Sequence, residues 1–95
     1  MSDTPDVLAE VRAERERQDA KWGEQNCHDF EWVSILAEEF GEAAQAANEA
    51  NFTSGNRRGD WSHLRSELVQ VAAVAVAWIE CIDRRAQIDA GGSDE

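Results

Sequence analysis

Apolar residues in this chain recur at helical spacing, and no alternation of period two runs long enough to predict a strand. The pattern predicts three helices. The first spans about Asp6 to Ala20, with Thr4 as N-cap and Pro5 as its first residue. Its apolar positions are few (Val7, Leu8, Val11), and "RAERERQDAK" reads as a solvated face laced by i,i+4 ion pairs. "WGEQNCHD" is a break, with Gly23 and Asn26 as turn formers and Asp29 as a candidate cap. The second helix spans about Phe30 to Ala50. At about 100° per residue, Val33, Leu36, Phe40, Ala43 and Ala47 share one arc of it.

"NFTSGNRRGD" reads as a loop, and a third helix follows from about Trp61 to Ala86. Leu64, Leu68, Val71, Ala75, Trp78 and Ile82 form a heptad-like seam along it. Val69, Ala72, Val76 and Ile79 form a second apolar stripe on another side. A helix apolar nearly all round must be buried all round. Two further helices, one of them mostly charged, cannot cover it, so a partner chain is implied. Trp61 and Trp78 are expected in the core or at that interface. The expected architecture is an all-α bundle of about three helices in one domain, residues 1–86, followed by a disordered acidic tail at 87–95.

Composition narrows this picture. A chain of 95 residues can bury only a marginal core, which again favours a homodimer or homotetramer. The net charge of −11 argues against nucleic acid as a partner, since backbone binding requires Lys and Arg to neutralise phosphates. It leaves open a phosphorylated small molecule approached through a metal ion. The N-terminal "MSDTPDVLAEV" has no apolar h-region, so no signal peptide is expected. The longest apolar run, at about 68–79, is interrupted by Gln70 and is shorter than the about 20 residues a bilayer requires, so no membrane partner is expected. Cys27 and Cys81 lack metal-ligand spacing and read as free thiols of a cytoplasmic protein.

The candidate chemistry lies in "ILAEEFGEAAQAA", which places Glu38, Glu39 and Glu42 within five positions. The i,i+3 spacing of Glu39 and Glu42 sets them on neighbouring ridges of one helix. If the second and third helices pack antiparallel, Glu67 comes alongside them. Two carboxylates about 4 Å apart repel by roughly 4 kcal/mol at an effective dielectric of 20. A hard cation such as Mg²⁺ reverses that sign, because it takes oxygen ligands. The alternative is a wet acidic face that holds nothing.

"EEFGE" followed after 24 residues by "ELVQ" resembles the EExxE…ExxD signature of the MazG-like nucleoside triphosphate pyrophosphohydrolases. "ERERQDAKWGEQN" and "VQVAAVAVAWIECIDRR" are similar to stretches of short, phage- or prophage-type members, and the resemblance covers about residues 8–86. It implies a helical bundle completed by dimerisation. It also implies hydrolysis of a nucleoside triphosphate between the α- and β-phosphates, giving monophosphate and pyrophosphate, with Mg²⁺ or Mn²⁺. Carried over by position, Glu39, Glu42 and Glu67 would be metal ligands, and Glu38 would orient or deprotonate the attacking water. Where the signature ends in Asp this chain has Gln70, which keeps an oxygen for a metal or water but supplies no charge. Gln70 equally suits a hydrogen-bonded structural role. A catalytically weak relative, kept as a nucleotide-binding or protein-interaction module, is therefore the alternative reading.

Around the nucleotide, Lys21 could reach a phosphate and Trp22 stack on a base, against a packing Trp with a snorkelling Lys. His28, Arg57 and Arg58 are further substrate-binding candidates, against plain solvation. Arg84 and Arg85 suit the negative end of the third helix. His63 has no ExxH partner with which to build a di-iron site.

Overall fold

A computed structural model describes residues 3–52 and 61–91, with side chains through Asp89. It contains α1 (Thr4–Trp22), α2 (Asp29–Phe52) and α3 (Ser62–Gly91), and no strand among the described residues. The all-α reading holds. Each helix is longer than its pattern predicts. α3 continues through Gly91, past the expected end at Ala86, so the first part of the predicted tail is helical. Residues 92–95 lie outside the described residues.

The caps explain three of the shifted boundaries. The N-cap of α1 is Asp3 rather than Thr4; its carboxylate accepts the Asp6 N–H at 3.2 Å, and Pro5 sits in the first turn. Gly23 ends α1 at φ 74°, donating its N–H to the Asp19 carbonyl at 2.8 Å. An L side chain would be strained in that conformation. α2 is capped by His28, not Asp29. The His28 carbonyl accepts from Glu31 and Trp32, each at 3.0 Å, while its N–H donates to the Glu31 carboxylate at 2.7 Å. Asp29 is instead the first helical residue. Its carboxylate accepts from Trp78 Nε1 at 3.0 Å and from the Arg85 guanidinium at 3.0 and 3.1 Å.

α3 is the central element, with α1 on one side and α2 on the other. α2 runs antiparallel to α3, as the pairs Asp29–Arg85, Trp32–Trp78 and Glu39–Gln70 show. α1 runs parallel to α3 and is tied to it by Arg65–Glu10 and Arg15–Glu80. The charged turn of α1 is therefore only partly a solvated face. Arg12–Glu16 fits that expectation, but Arg15 turns inward to Glu80, and Gln18 beside it is buried.

The core is a line of mostly small residues beneath one large ring. Trp32 is 1% exposed and packs with Val74, Ala77 and Cys81, with Ile35, Leu36, Cys27 and Trp78 around it. The rings of Trp32 and Trp78 stack at 6.5 Å. Further along α2, Ala43, Ala46 and Ala50 are buried, small enough for close backbone approach.

This face matches the predicted one only in part: Ala43 is buried and Leu36 packs on the core as expected. On α2 the packed line is 32, 35, 39, 43, 46 and 50, about 75° round the helix from the expected arc; Val33 and Phe40 remain 53% and 64% exposed. On α3 the packed line runs through Glu67, Gln70, Val74, Ala77 and Cys81, while Leu68, Ile79 and Ile82 of the expected seam and stripe are exposed. Trp78 is half-buried, but Trp61 is exposed and outside the core. The molecule measures 63 × 29 × 21 Å with a radius of gyration of 16.6 Å, against about 12 Å for a compact chain of this length. No helix among the described residues is long and apolar enough to cross a membrane.

Candidate metal centre and adjoining cleft

The packed face of α2 carries Glu39 at its centre, where the helix crosses the start of α3. The packed face of α3 begins with Glu67, at 9% exposure, followed one turn later by Gln70. Antiparallel packing sets these residues against each other, with Glu42 at the rim. One carboxylate oxygen from each of Glu39, Glu42 and Glu67 lies within 4.8 Å of the other two. Gln70 closes the group. In the amide orientation that satisfies both of its polar atoms, Nε2 donates to Glu39 at 3.0 Å and to Glu67 at 3.3 Å. His63 Nε2 stands 3.9 Å from Glu67.

Electrostatics follow from this crowding. Burial pushes the Glu39 carboxyl above its ordinary 4.5, and the charges of Glu42, Glu67, Glu38 and Glu14 push in the same direction. The donor set fits a hard divalent cation. Around an octahedral ion with bonds of about 2.1 Å, ligand oxygens stand about 3 Å apart when adjacent and about 4.2 Å when opposite. Oxygens within 4.8 Å of one another need only small side-chain movements to reach that arrangement.

A cleft of about 250 Å³ opens beside the carboxylates, walled by all three helices. Glu38, Glu39 and Gln70 line it, together with Gln25 and Trp32 and with Arg17, Gln18 and Trp22 from α1. Trp22 lines the cleft and is half-exposed. Lys21 is not a lining residue; its ammonium lies over the Trp22 ring at 4.7 Å from the centroid. His28 stands apart from the carboxylates. It caps α2, stacks on Phe30 at 5.4 Å and lines a separate cleft with Arg84 and Arg85. Arg57 and Arg58 lie outside the described residues.

No family model, curated protein or solved structure matches the chain. Its functional reading therefore rests on the site itself.

Among the lining residues that the sequence did not single out are Gln18, Arg17 and Trp32. Gln18 is buried between Arg15 and Glu14, accepting from the first at 3.3 Å and donating to the second at 3.4 Å. Arg17 pairs with Glu14 at the cleft wall. Trp32, the most buried large side chain, has an indole N–H with no hydrogen-bond partner. Its signal was the 3–4 repeat Trp32, Ile35, Glu39, Ala43, Ala46, which Glu39 interrupts. Gln18 and Arg17 sit in a run of charge that gives no such signal.

Proposed function

We propose that this chain is a metal-dependent nucleotide pyrophosphohydrolase of the MazG-like kind, cleaving a nucleoside triphosphate to monophosphate and pyrophosphate. The observation that carries the reading is the convergence of Glu39, Glu42 and Glu67 from two helices, with Glu39 also lining a cleft. An isolated wet acidic face would give no reason for Glu67 to be buried there. Glu39, Glu42 and Glu67 would hold Mg²⁺ or Mn²⁺, which supplies charge neutralisation for the phosphates and acidifies a bound water. Glu38, exposed and lining the same cleft, would accept that water's proton. Water oxygen would bond to the α-phosphorus as the bond to the bridging oxygen breaks, with pyrophosphate as leaving group. Trp22, half-exposed at the cleft, would lie against the nucleoside.

The chain would work as a homodimer or higher oligomer. Val33, Leu36, Ala37 and Phe40 of α2 form an apolar groove with Val71 and Trp78 of α3, and Leu68, Ile79 and Ile82 are exposed on α3. A second copy of this acidic chain, offering the same apolar face, would cover it.

Gln70 favours a second reading, a weak or inactive relative that binds nucleotide or a protein. It removes one charge from the expected ligand set. The two readings separate in one experiment. Pyrophosphate release is measured from a panel of ribo- and deoxyribonucleoside triphosphates with Mg²⁺ and with Mn²⁺, beside Glu39→Ala and Glu42→Ala. Turnover that falls at least about a hundredfold in both variants supports the enzyme. Absence of turnover, with retained nucleotide binding, supports the module.

A further inference from the structure

The ion-holding reading of Glu39, Glu42 and Glu67 leaves Gln70 to be explained, and the inference that follows rests on that reading. Gln70 is half-buried, one turn beyond Glu67 on α3. Its amide reaches across the helix interface; in the orientation that satisfies both of its polar atoms, Nε2 donates to Glu39 of α2 at 3.0 Å and to Glu67 of α3 at 3.3 Å. Both groups it touches are carboxylates. A donor is thus placed between two carboxylates of the proposed ligand set. Lysine or arginine there would offer donors only. An amide offers donors on one side and an acceptor on the other, exchanged by rotation about its last bond.

We propose that Gln70 is a reversible clasp on the metal centre. In the ion-free protein its Nε2 holds Glu39 and Glu67 together, in place of a cation. When a divalent ion is bound, the amide turns so that Oε1 faces it. The two hydrogen bonds to the amide are then given up, so binding competes with the clasp. Aspartate or glutamate at this position would make no such bonds and would add repulsion to the empty site. Gln70 therefore stabilises the ion-free fold and sets a lower metal affinity than a carboxylate would.

The test is a Mg²⁺ titration of the ¹⁵N-labelled full chain, followed by NMR, on the native protein and Gln70→Glu. Gln70→Leu identifies the side-chain NH₂ signals by their loss. If Gln70→Leu does not fold, Gln70→Glu identifies them in the same way. Thermal melts in chelator accompany both proteins. We expect the Gln70 NH₂ signals to shift with the same midpoint as the backbone signals of Glu39, Glu42 and Glu67. Gln70→Glu should bind Mg²⁺ about tenfold or more tighter, a change typical of groups that tune a metal site, and melt lower in chelator. If the glutamate signals saturate but the NH₂ signals stay fixed, or Gln70→Glu binds no tighter, the clasp is overturned and the metal centre stands. If neither protein gives a saturable response, the metal centre is overturned and the clasp with it.

Discussion

Glu39 is where charge and burial conflict most directly. Its folded-state acidity is weaker than the ordinary value, through burial first and the neighbouring carboxylates second. The folded chain then binds a proton that the unfolded chain has released, so stability falls as pH rises from about 4.5 through the raised folded value. Below that window both states are protonated and the penalty is absent. In chelator, Glu39→Gln should therefore melt higher than the native chain above the window, with the difference shrinking at lower pH. Melting curves across pH measure this, and a pH-independent difference would sink it. Arg15 offers a contrast, because its charge is paired. Its side chain is 13% exposed, and the guanidinium donates to Glu80 at 2.7 and 3.1 Å and to Asp19 at 3.0 Å. Arg15→Ala should cost about 1.5–3 kcal/mol in urea unfolding, the range for hydrogen bonds to charged groups. Arg12→Ala, which breaks an exposed pair at 3.8 Å, should change stability by no more than about 0.5 kcal/mol.

At the scale of the helix, existence and approximate span were legible, while rotation about the axis was not. On α2 the eye follows Val33, Leu36 and Phe40, the more apolar arc. The chain packs instead on Trp32, Ile35, Glu39 and the alanines. On α3 the packed line begins with Glu67 and Gln70, two polar residues that a hydrophobic criterion rejects. In both helices the face that packs within the chain is the face that carries the candidate site. Local pattern and global fold disagree there, as they do where a site requires polar groups in a core. Trp32 anchors this face, and Trp32→Ala should cost about 3–5 kcal/mol in denaturant unfolding. Gly41 lies on the far side of α2, with nothing within 4 Å of a built Cβ. Gly41→Ala should raise stability by about 0.5–1 kcal/mol through helix propensity alone. A loss of stability would show that another chain presses on that turn.

At the scale of the molecule, the exposed apolar face and elongated shape belong together. Part of the seam that the sequence demands be buried lies open beside α2, in the groove of Val33, Leu36, Phe40, Val71 and Trp78. On the dimer reading, Phe40→Glu should convert the native sedimentation profile, at twice the chain mass or more, to that of a monomer with helicity largely retained. A native chain that sediments as a monomer at micromolar concentration would overturn the reading.

By itself the sequence determined the class of fold, three helices and their order. Periodicity and turn chemistry are local, and each helix carries enough of both to be recognised. It also determined that Glu39 and Glu42 would be neighbours, because i,i+3 spacing fixes that on any helix. Only the tertiary structure decided that Glu67 and Gln70 would meet them. That depends on which face of α3 turns toward α2, a choice made by Trp32 fitting over Val74, Ala77 and Cys81. The same choice left Val33, Phe40, Leu68, Ile79 and Ile82 exposed. The phase of each helix is set by shape complementarity between helices, which no single helix encodes.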